Sequence, residues 1–232
     1  MNSRHLKWIA IITMVIDHVG HFLFPELFFL RVIGRLAFPI FTFLFALSAR
    51  YTHNRIQLGL RVWLSAIFGQ MIMIAFGAGE IISILFLFGL ALIMFELIDR
   101  NQHWTLFIFA FIAEYFHVDY GAYGILVLYF FYVNHAHFKK QAISYSSITL
   151  LFVLIPFFES EIFNVIPTII ANFFSVGWKF FVQAFSIVSL LFLSKYDSQK
   201  PKVLPKPFNN IEKYFYYFFY PLHLAFLAWL GA

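Results

Sequence analysis

Long apolar runs dominate this chain, and most of them have about the length of one bilayer crossing. A transmembrane helix needs roughly 20 predominantly apolar residues, and short segments rich in charge, proline or glycine separate the runs here. The pattern predicts an all-α fold, a polytopic transmembrane helical bundle of about nine spans. The predicted spans are residues 6–24, 32–49, 58–76, 81–98, 104–116, 122–132, 143–158, 176–193 and 214–230.

Three segments leave this count open by one span. Residues 104–116 and 122–132 are short for a crossing, so they are either extended by polar neighbours or re-entrant. The apolar stretch 162–175 contains Pro167, which favours an interfacial segment or half of a broken helix.

Composition points to the same class of protein. Apolar residues make up 62% of the chain and charged residues 12%, whereas soluble domains carry about 25% charged residues. So few charges do not cover a water-facing surface. The chain has no cysteine, which excludes disulfides and thiolate metal sites, and we predict no metal site. Residues 1–232 show no internal repeat and no glycine-rich phosphate loop, so we expect a single domain.

The distribution of positive charge predicts the orientation. Most Lys and Arg residues fall in alternate interhelical segments, as the positive-inside rule expects for a cytoplasmic N-terminus. The N-terminal apolar run holds Asp17, His18 and His21 and no small-residue cleavage site follows it, so we expect a retained first helix rather than a signal peptide. The net charge of +5 is dispersed along the chain, and we predict no nucleic-acid binding. These observations predict a multi-pass protein of the bacterial inner membrane.

Ionisable residues in the first span need a reason, because each costs roughly 2.5–3.5 kcal/mol at bilayer depth on insertion scales. Asp17 and His21 are four residues apart and share a helix face, while His18 lies about 100° round the helix. In one interpretation Asp17 pairs with an arginine and the histidines cap the outer interface. In the other, His18 is a general base or transient acyl carrier that Asp17 orients.

The second span carries Arg31 and Arg35, which also lie four residues apart. Arg35 lies within the apolar run and must meet a carboxylate, a carbonyl or an anionic ligand, and Asp17 is the nearest partner by sequence. Pro39 removes a backbone hydrogen bond and predicts a kink. A structural ion pair between helices is the alternative to a site role for Arg35.

A basic patch follows the second span. Arg50, Arg55 and Arg61 lie on the predicted cytoplasmic side and suit the phosphates of an anionic nucleotide-containing ligand. Ordinary topology-setting charge is the alternative. Asp119 and His223 are two further candidates for the lining of the same cavity as His18, although a packing role is equally compatible with each of them.

Four blocks of the sequence resemble the TraX family, membrane proteins associated with acetylation of the F-type conjugative pilin. They are Leu6-Lys7 with Ile9 to Met14 and Ile16-Asp17-His18; Arg31 to Phe41; Asp119-Tyr120-Gly121 with Gly124; and Tyr217 to Leu224.

The resemblance implies acetyl transfer from acetyl-CoA to a pilin subunit or similar envelope acceptor such as a glycan. It implies a single transmembrane acyltransferase-like domain over residues 1–232, with catalytic roles for His18, Asp17 and Arg35. Because the coenzyme is cytosolic and highly charged, Arg50, Arg55 and Arg61 are its predicted binding site. His21, Arg31, Asp119 and His223 remain further candidates for the cavity lining. A proton-coupled carrier of small molecules and a non-enzymatic pilus assembly factor are the alternative functions.

Overall fold

The apolar runs fold as helices because they are rich in Leu, Phe, Ile and Ala and hold few glycines or prolines. The computed structural model describes residues 1–75, 82–155, 177–197 and 206–231. Its helices are α1 (Ser3–Phe22), α2 (Phe29–Gly34), α3 (Ala37–Tyr51), α4 (Arg55–Ala75), α5 (Ile84–Ile98), α6 (Thr105–Tyr115), α7 (Gly121–Val133), α8 (Phe138–Leu154), a 3₁₀ helix (Gly177–Ser189), α9 (Leu190–Leu193) and α10 (Lys206–Gly231).

The predicted all-helical fold is confirmed for these ranges. Outside the helices they contain turns and one isolated parallel bridge between Ile82 and Val118. Two segments, Phe29–Tyr51 and Arg55–Ala75, are long and apolar enough to cross a membrane. α6 has 11 residues and is about 16 Å long, short of a hydrocarbon core of roughly 30 Å. The count of nine spans therefore stays a prediction, and Pro167 and the segment 162–175 lie outside the described residues.

An apolar stripe on α4 distinguishes this helix from the core helix of a soluble protein. Large side chains recur every three or four residues along one face and stay exposed. They are Ile56, Leu60, Leu64, Ile67, Met71 and Ile74, which are 50–78% exposed. An apolar face of this size is unfavourable in water and normally contacts lipid or another protein. Together with the two helices of membrane-spanning length, it favours association with a membrane.

The second predicted span, 32–49, is interrupted at the position that its proline dictates. The nitrogen of Pro39 cannot bond to the carbonyl of Arg35 one turn earlier, and the ring crowds that carbonyl. The structure accordingly has α2 ending at Gly34 and α3 starting at Ala37, with Arg35 and Leu36 in the break. Pro39 itself lies in the first turn of α3, where a missing N–H costs nothing. The interruption lies where Pro39 was expected to act, and it places Arg35 between α2 and α3.

Aromatic side chains fill the centre of the helix assembly. Tyr123, Phe131 and Tyr132 of α7, Phe95 of α5 and Tyr145 of α8 are fully buried. Phe38 at the start of α3 stacks on Tyr120 with ring centroids 3.8 Å apart, and the cation of Arg50 at its other end lies over Tyr132. α3 and α7 therefore run parallel. About 22 Å of helix separates Arg35 from Arg50, so two polar clusters occupy opposite ends of the assembly.

Candidate functional site

The first polar cluster forms around the carboxylate of Asp17. Arg31 Nη1 lies 2.7 Å from Asp17 Oδ2, and Arg35 Nη2 lies 3.1 Å from Asp17 Oδ1. The two arginines approach the same carboxylate because they are one helical turn apart on α2 and the break after it. Asp17 and Arg35 are each 15% exposed and Arg31 is 27% exposed. The partner predicted for Arg35 is confirmed, and Arg31 shares it.

Gly34 lets α1 and α2 approach closely enough for this ion pair. A Cβ atom on Gly34 would collide with Oδ1, Cβ and Cγ of Asp17. A second glycine, Gly20, allows Leu30 to pack against α1, where an added Cβ would lie 2.7 Å from Leu30 Cβ. Small residues at such crossings are a general means of close helix packing in membranes.

His18 has a different partner from the one expected on the sequence. Its Nδ1 lies 2.6 Å from Nε2 of His223 on α10, whereas the Asp17 carboxylate bonds to Arg31 and Arg35. The expectation that Asp17 orients His18 is wrong, because neighbouring side chains on α1 diverge by about 100° and two guanidinium groups occupy the carboxylate.

The hydrogen bonds of His223 determine the proton positions in the histidine pair. His223 Nδ1 lies 2.8 Å from the carbonyl oxygen of Phe219, and a carbonyl only accepts, so Nδ1 carries the proton. In neutral His223 the Nε2 atom is then an acceptor, and His18 Nδ1–H donates to it. This leaves the lone pair of neutral His18 on its Nε2 atom, the form that abstracts a proton or attacks an acyl carbon.

A chain of polar contacts extends from Arg35 into the helices behind it. Arg35 Nη1 lies 3.5 Å from Oε1 of Gln183 on the 3₁₀ helix. Gln183 Nε2 donates to the Tyr123 hydroxyl at 3.2 Å, and that hydroxyl lies 3.0 Å from Thr149 Oγ1. Sequence reasoning missed Gln183 as a site residue. The signal was present, since a lone amide in the apolar run 176–193 needs a polar partner.

Asp119 and His21 lie at the edge of this cluster. Asp119 follows α6 and is held by its backbone, whose N–H donates to the carbonyl of Ile82 at 2.8 Å. Its half-buried side chain lies within electrostatic range of Arg31 and Arg35. His21 is exposed and packs edge-on against Phe22. The structure thus places the Asp17 ion pairs, the His18–His223 pair and the margin residue Asp119 near one another, and leaves His21 outside both sets of contacts.

The second polar cluster lies at the α3–α4 junction. Asp99, at the end of α5, lies 2.8 Å from Arg50 Nη1 and 2.7 Å from Arg55 Nη2. It also accepts a hydrogen bond from the Tyr132 hydroxyl at 2.7 Å. Glu96 pairs with Arg55 at 3.1 Å and with Arg100 at 3.2 Å.

Arg50 and Arg55 therefore lie in one cluster, as predicted. Their ion pairs with Asp99 and Glu96 were not predicted from the sequence. Arg61 lies further along α4, where its Nε donates to the carbonyl of Gln57. Burial raises the pKa of Asp99, but the hydrogen bonds from Tyr132 and Arg55 outweigh it and hold that pKa below its usual value. Three guanidinium groups against two carboxylates leave this cluster with one positive charge in excess.

Comparison with known proteins supplies the family. The family model described as TraX protein matches residues 2–231. A 38-residue stretch is 55% identical to a protein of Rickettsia prowazekii (strain Madrid E) described as uncharacterized protein RP591, and it covers 16% of this chain and 15% of that protein. No solved structure is significantly similar. Since the family model spans almost the whole chain, this protein belongs to the TraX family, which is linked to processing of the F-type pilin of conjugative pili.

Proposed function

We propose that this protein is a multi-pass inner-membrane acetyltransferase that moves an acetyl group from acetyl-CoA to a pilin subunit or a similar envelope acceptor. The observation that carries the proposal is the hydrogen bond between His18 Nδ1 and His223 Nε2, which leaves His18 Nε2 free to act as a base. A base of this kind contributes typically 10²–10⁴-fold to a proton-transfer step.

The reaction follows from the roles of the clustered side chains. His18 Nε2 removes the proton from the amine or hydroxyl of the acceptor as that group attacks the thioester carbonyl carbon. The carbon–sulfur bond then breaks, and the thiolate of coenzyme A takes up the proton that His18 carries. The acceptor gains the acetyl group, and His18 returns to its neutral form.

Arg35 is suited to stabilise the negative charge that develops on the thioester oxygen. Its guanidinium is held by Asp17 and lies 3.5 Å from the Gln183 amide oxygen, so its orientation is set before the substrate binds. Donors that are fixed in this way stabilise an oxyanion without reorganising during the reaction. His223 is a positioning residue in this scheme, because it fixes the tautomer of His18.

The second cluster is suited to the phosphate groups of the coenzyme. Arg50, Arg55 and Arg100 together exceed the charge of Glu96 and Asp99, and Arg61 extends the basic surface along α4. Guanidinium groups bind phosphate oxygens in a bidentate manner. With this cluster on the cytoplasmic side, the coenzyme enters there and its acetyl group reaches His18 through the helix assembly.

The test uses the purified chain in lipid nanodiscs with acetyl-CoA carrying a radiolabelled acetyl group and an F-type pilin precursor. We expect labelled pilin, with mass spectrometry placing one acetyl group on the subunit. His18→Gln should lower the rate by about 10²–10⁴-fold, whereas His5→Gln on the same helix, whose side chain is exposed, should keep the wild-type rate.

An unchanged rate for His18→Gln would remove His18 from the chemistry. Failure of the wild-type chain to bind acetyl-CoA and to label either pilin or envelope glycans would overturn the enzymatic function. Label on glycans and not on pilin would keep the acetyltransferase and replace its acceptor.

A further inference from the structure

A row of polar side chains follows one line of the 3₁₀ helix. Gln183, Ser186 and Ser189 are spaced three residues apart, and a 3₁₀ helix has three residues per turn, so the three side chains lie directly above one another. In an α-helix the side chains of Gln183 and Ser189 would instead point in directions about 120° apart. Runs of 3₁₀ helix longer than three or four residues are uncommon, whereas this one has 13 residues. The 3₁₀ geometry is what aligns the row.

The hydroxyls of this row have unused hydrogen-bonding capacity inside the protein. Ser186 and Ser189 are fully buried. Ser186 Oγ lies 2.5 Å from the Tyr145 hydroxyl, and a hydroxyl in one hydrogen bond can form a second. Ser189 Oγ has no hydrogen-bond partner among the described residues. A buried polar atom without a partner costs about 1–3 kcal/mol and is rare in native proteins, so it indicates a group that is supplied from outside.

The row extends from the Asp17 cluster towards the predicted cytoplasmic side. At one end Gln183 contacts Arg35 of the Asp17 cluster. Beyond Ser189 the chain continues through α9 to Lys195, whose carbonyl accepts from the N-terminal amine of Met1. The row therefore runs from the reactive cluster towards the end of the assembly where α1 begins, which is the predicted cytoplasmic side.

The shape and chemistry of the missing group follow from the row. The two serine hydroxyls are about 6 Å apart along the helix, given a rise of roughly 2.0 Å per residue. The arm of coenzyme A carries two amides joined by a two-carbon unit. The distance between these amides is one bond longer than the repeat of about 3.8 Å in a peptide, and is therefore about 5 Å. Amide carbonyls accept from serine hydroxyls, so an extended chain with two amides matches both the spacing and the unused donors.

We propose that Ser186 and Ser189, in line with Gln183, form the binding track for the amide-bearing arm of the acyl donor. The inference rests on the proposed function, since it assumes that acetyl-CoA is the donor. It adds the residues that hold the arm between the phosphates and the thioester. Ser189 binds the arm directly, and Gln183 lies where the track meets the Arg35 guanidinium.

The experiment measures donor binding without any acceptor. The full chain in nanodiscs is titrated with acetyl-CoA and, separately, with adenosine 3′,5′-bisphosphate, which carries phosphates but no amide arm. Ser189→Ala should weaken acetyl-CoA binding by about three- to tenfold, the loss of one hydrogen bond, and should leave binding of the bisphosphate unchanged. Without ligand, the melting temperature of Ser189→Ala should equal or exceed that of the wild type, because the substitution removes a buried hydroxyl that has no hydrogen-bond partner among the described residues.

The matched control is Ser194→Ala, in which an exposed serine whose Oγ donates to the carbonyl of Leu191 is replaced. It should leave both affinities at the wild-type value. Equal acetyl-CoA affinity for Ser189→Ala and wild type would overturn the track and leave the proposed function standing. An equal weakening of acetyl-CoA and bisphosphate binding by Ser189→Ala would have the same consequence. Absence of acetyl-CoA binding by the wild-type chain would overturn the track together with the donor on which it rests.

Discussion

Gly34 of α2 packs directly against the side chain of Asp17 on α1, and this contact determines how closely the two helices approach. A Cβ at position 34 would occupy the space of the Asp17 carboxylate itself. The ion pair with Arg31 and Arg35 therefore depends on a residue that has no side chain.

Gly34→Ala tests this dependence. Overpacking of this kind costs about 1–3 kcal/mol, so we expect a lower unfolding midpoint in detergent and a reduced level of folded protein. Gly59→Ala is the control, because a Cβ there would meet only Leu92 Cδ1 at 4.0 Å. Alanine at an open helical position should leave stability unchanged or raise it by up to about 1 kcal/mol. Equal midpoints for the two variants would contradict the close contact.

Asp17→Asn should destabilise the protein more than a comparable change in the second cluster. The substitution leaves two mostly buried guanidinium groups without their counter-charge, and breaking a buried ion pair in this way costs about 3–5 kcal/mol. Asp99→Asn affects a carboxylate that is 31% exposed, where water compensates part of the loss. Chemical denaturation in micelles measures both variants. A larger loss for Asp99→Asn would show that the Asp17 cluster is not the more buried one.

His223 variants separate positioning from packing. Gln retains a carbonyl that can accept the His18 Nδ1 proton, whereas Leu fills similar space without an acceptor. We expect His223→Gln to keep a larger share of kcat than His223→Leu, with KM for acetyl-CoA within about twofold of wild type in both, as for a group that acts only in the transition state. Equal kcat values for the two variants would reduce His223 to a packing role.

Acid should remove the stability that Asp99 contributes. The pKa of Asp99 is lower in the folded protein than its usual value, so the contribution is fully present above the unfolded-state pKa of about 3.9. It is lost as the pH falls through the lower folded-state pKa. The difference in melting temperature between wild type and Asp99→Asn should be constant from pH 7 to about pH 5 and should narrow below about pH 4. A difference that does not narrow between about pH 4 and pH 3 would contradict the lowered pKa.

The predicted orientation is open to a direct labelling test, because the natural chain has no cysteine. Glu26→Cys and Gln102→Cys place single thiols at exposed positions on opposite predicted sides. In spheroplasts, a membrane-impermeant maleimide should label Glu26→Cys without permeabilisation and Gln102→Cys only after it. The unsubstituted chain gives the background. The reverse order of labelling would place the N-terminus on the periplasmic side. Equal labelling of the two variants would contradict a membrane crossing between positions 26 and 102.

The sequence was most informative where one physical rule dominated. The cost of a charge in an apolar run led to Arg35 and its partner Asp17, and the missing N–H of Pro39 led to the break between α2 and α3. Both conclusions depend on residues that are near one another in the chain. They needed no knowledge of how distant helices pack.

Long-range contacts explain what sequence reasoning got wrong or missed. The partner of His18 is His223, which lies on the last helix, and no local spacing identifies which of several polar groups will arrive there. Gln183 and the serines after it were not recognised because their alignment depends on a three-residue turn. An apolar run of that length is normally assigned the α-helical period, in which the row does not exist.

The pairing of His18 with His223 joins residues 205 positions apart in the sequence. In the proposed mechanism, His18 therefore acquires its fixed tautomer only once α10 has packed beside α1. On the same proposal, a shortened polypeptide without α10 would bind the thioester but lack the histidine pair that the reaction needs. Packing of α10 against α1 would then be a precondition for turnover, and misassembled copies would stay inactive.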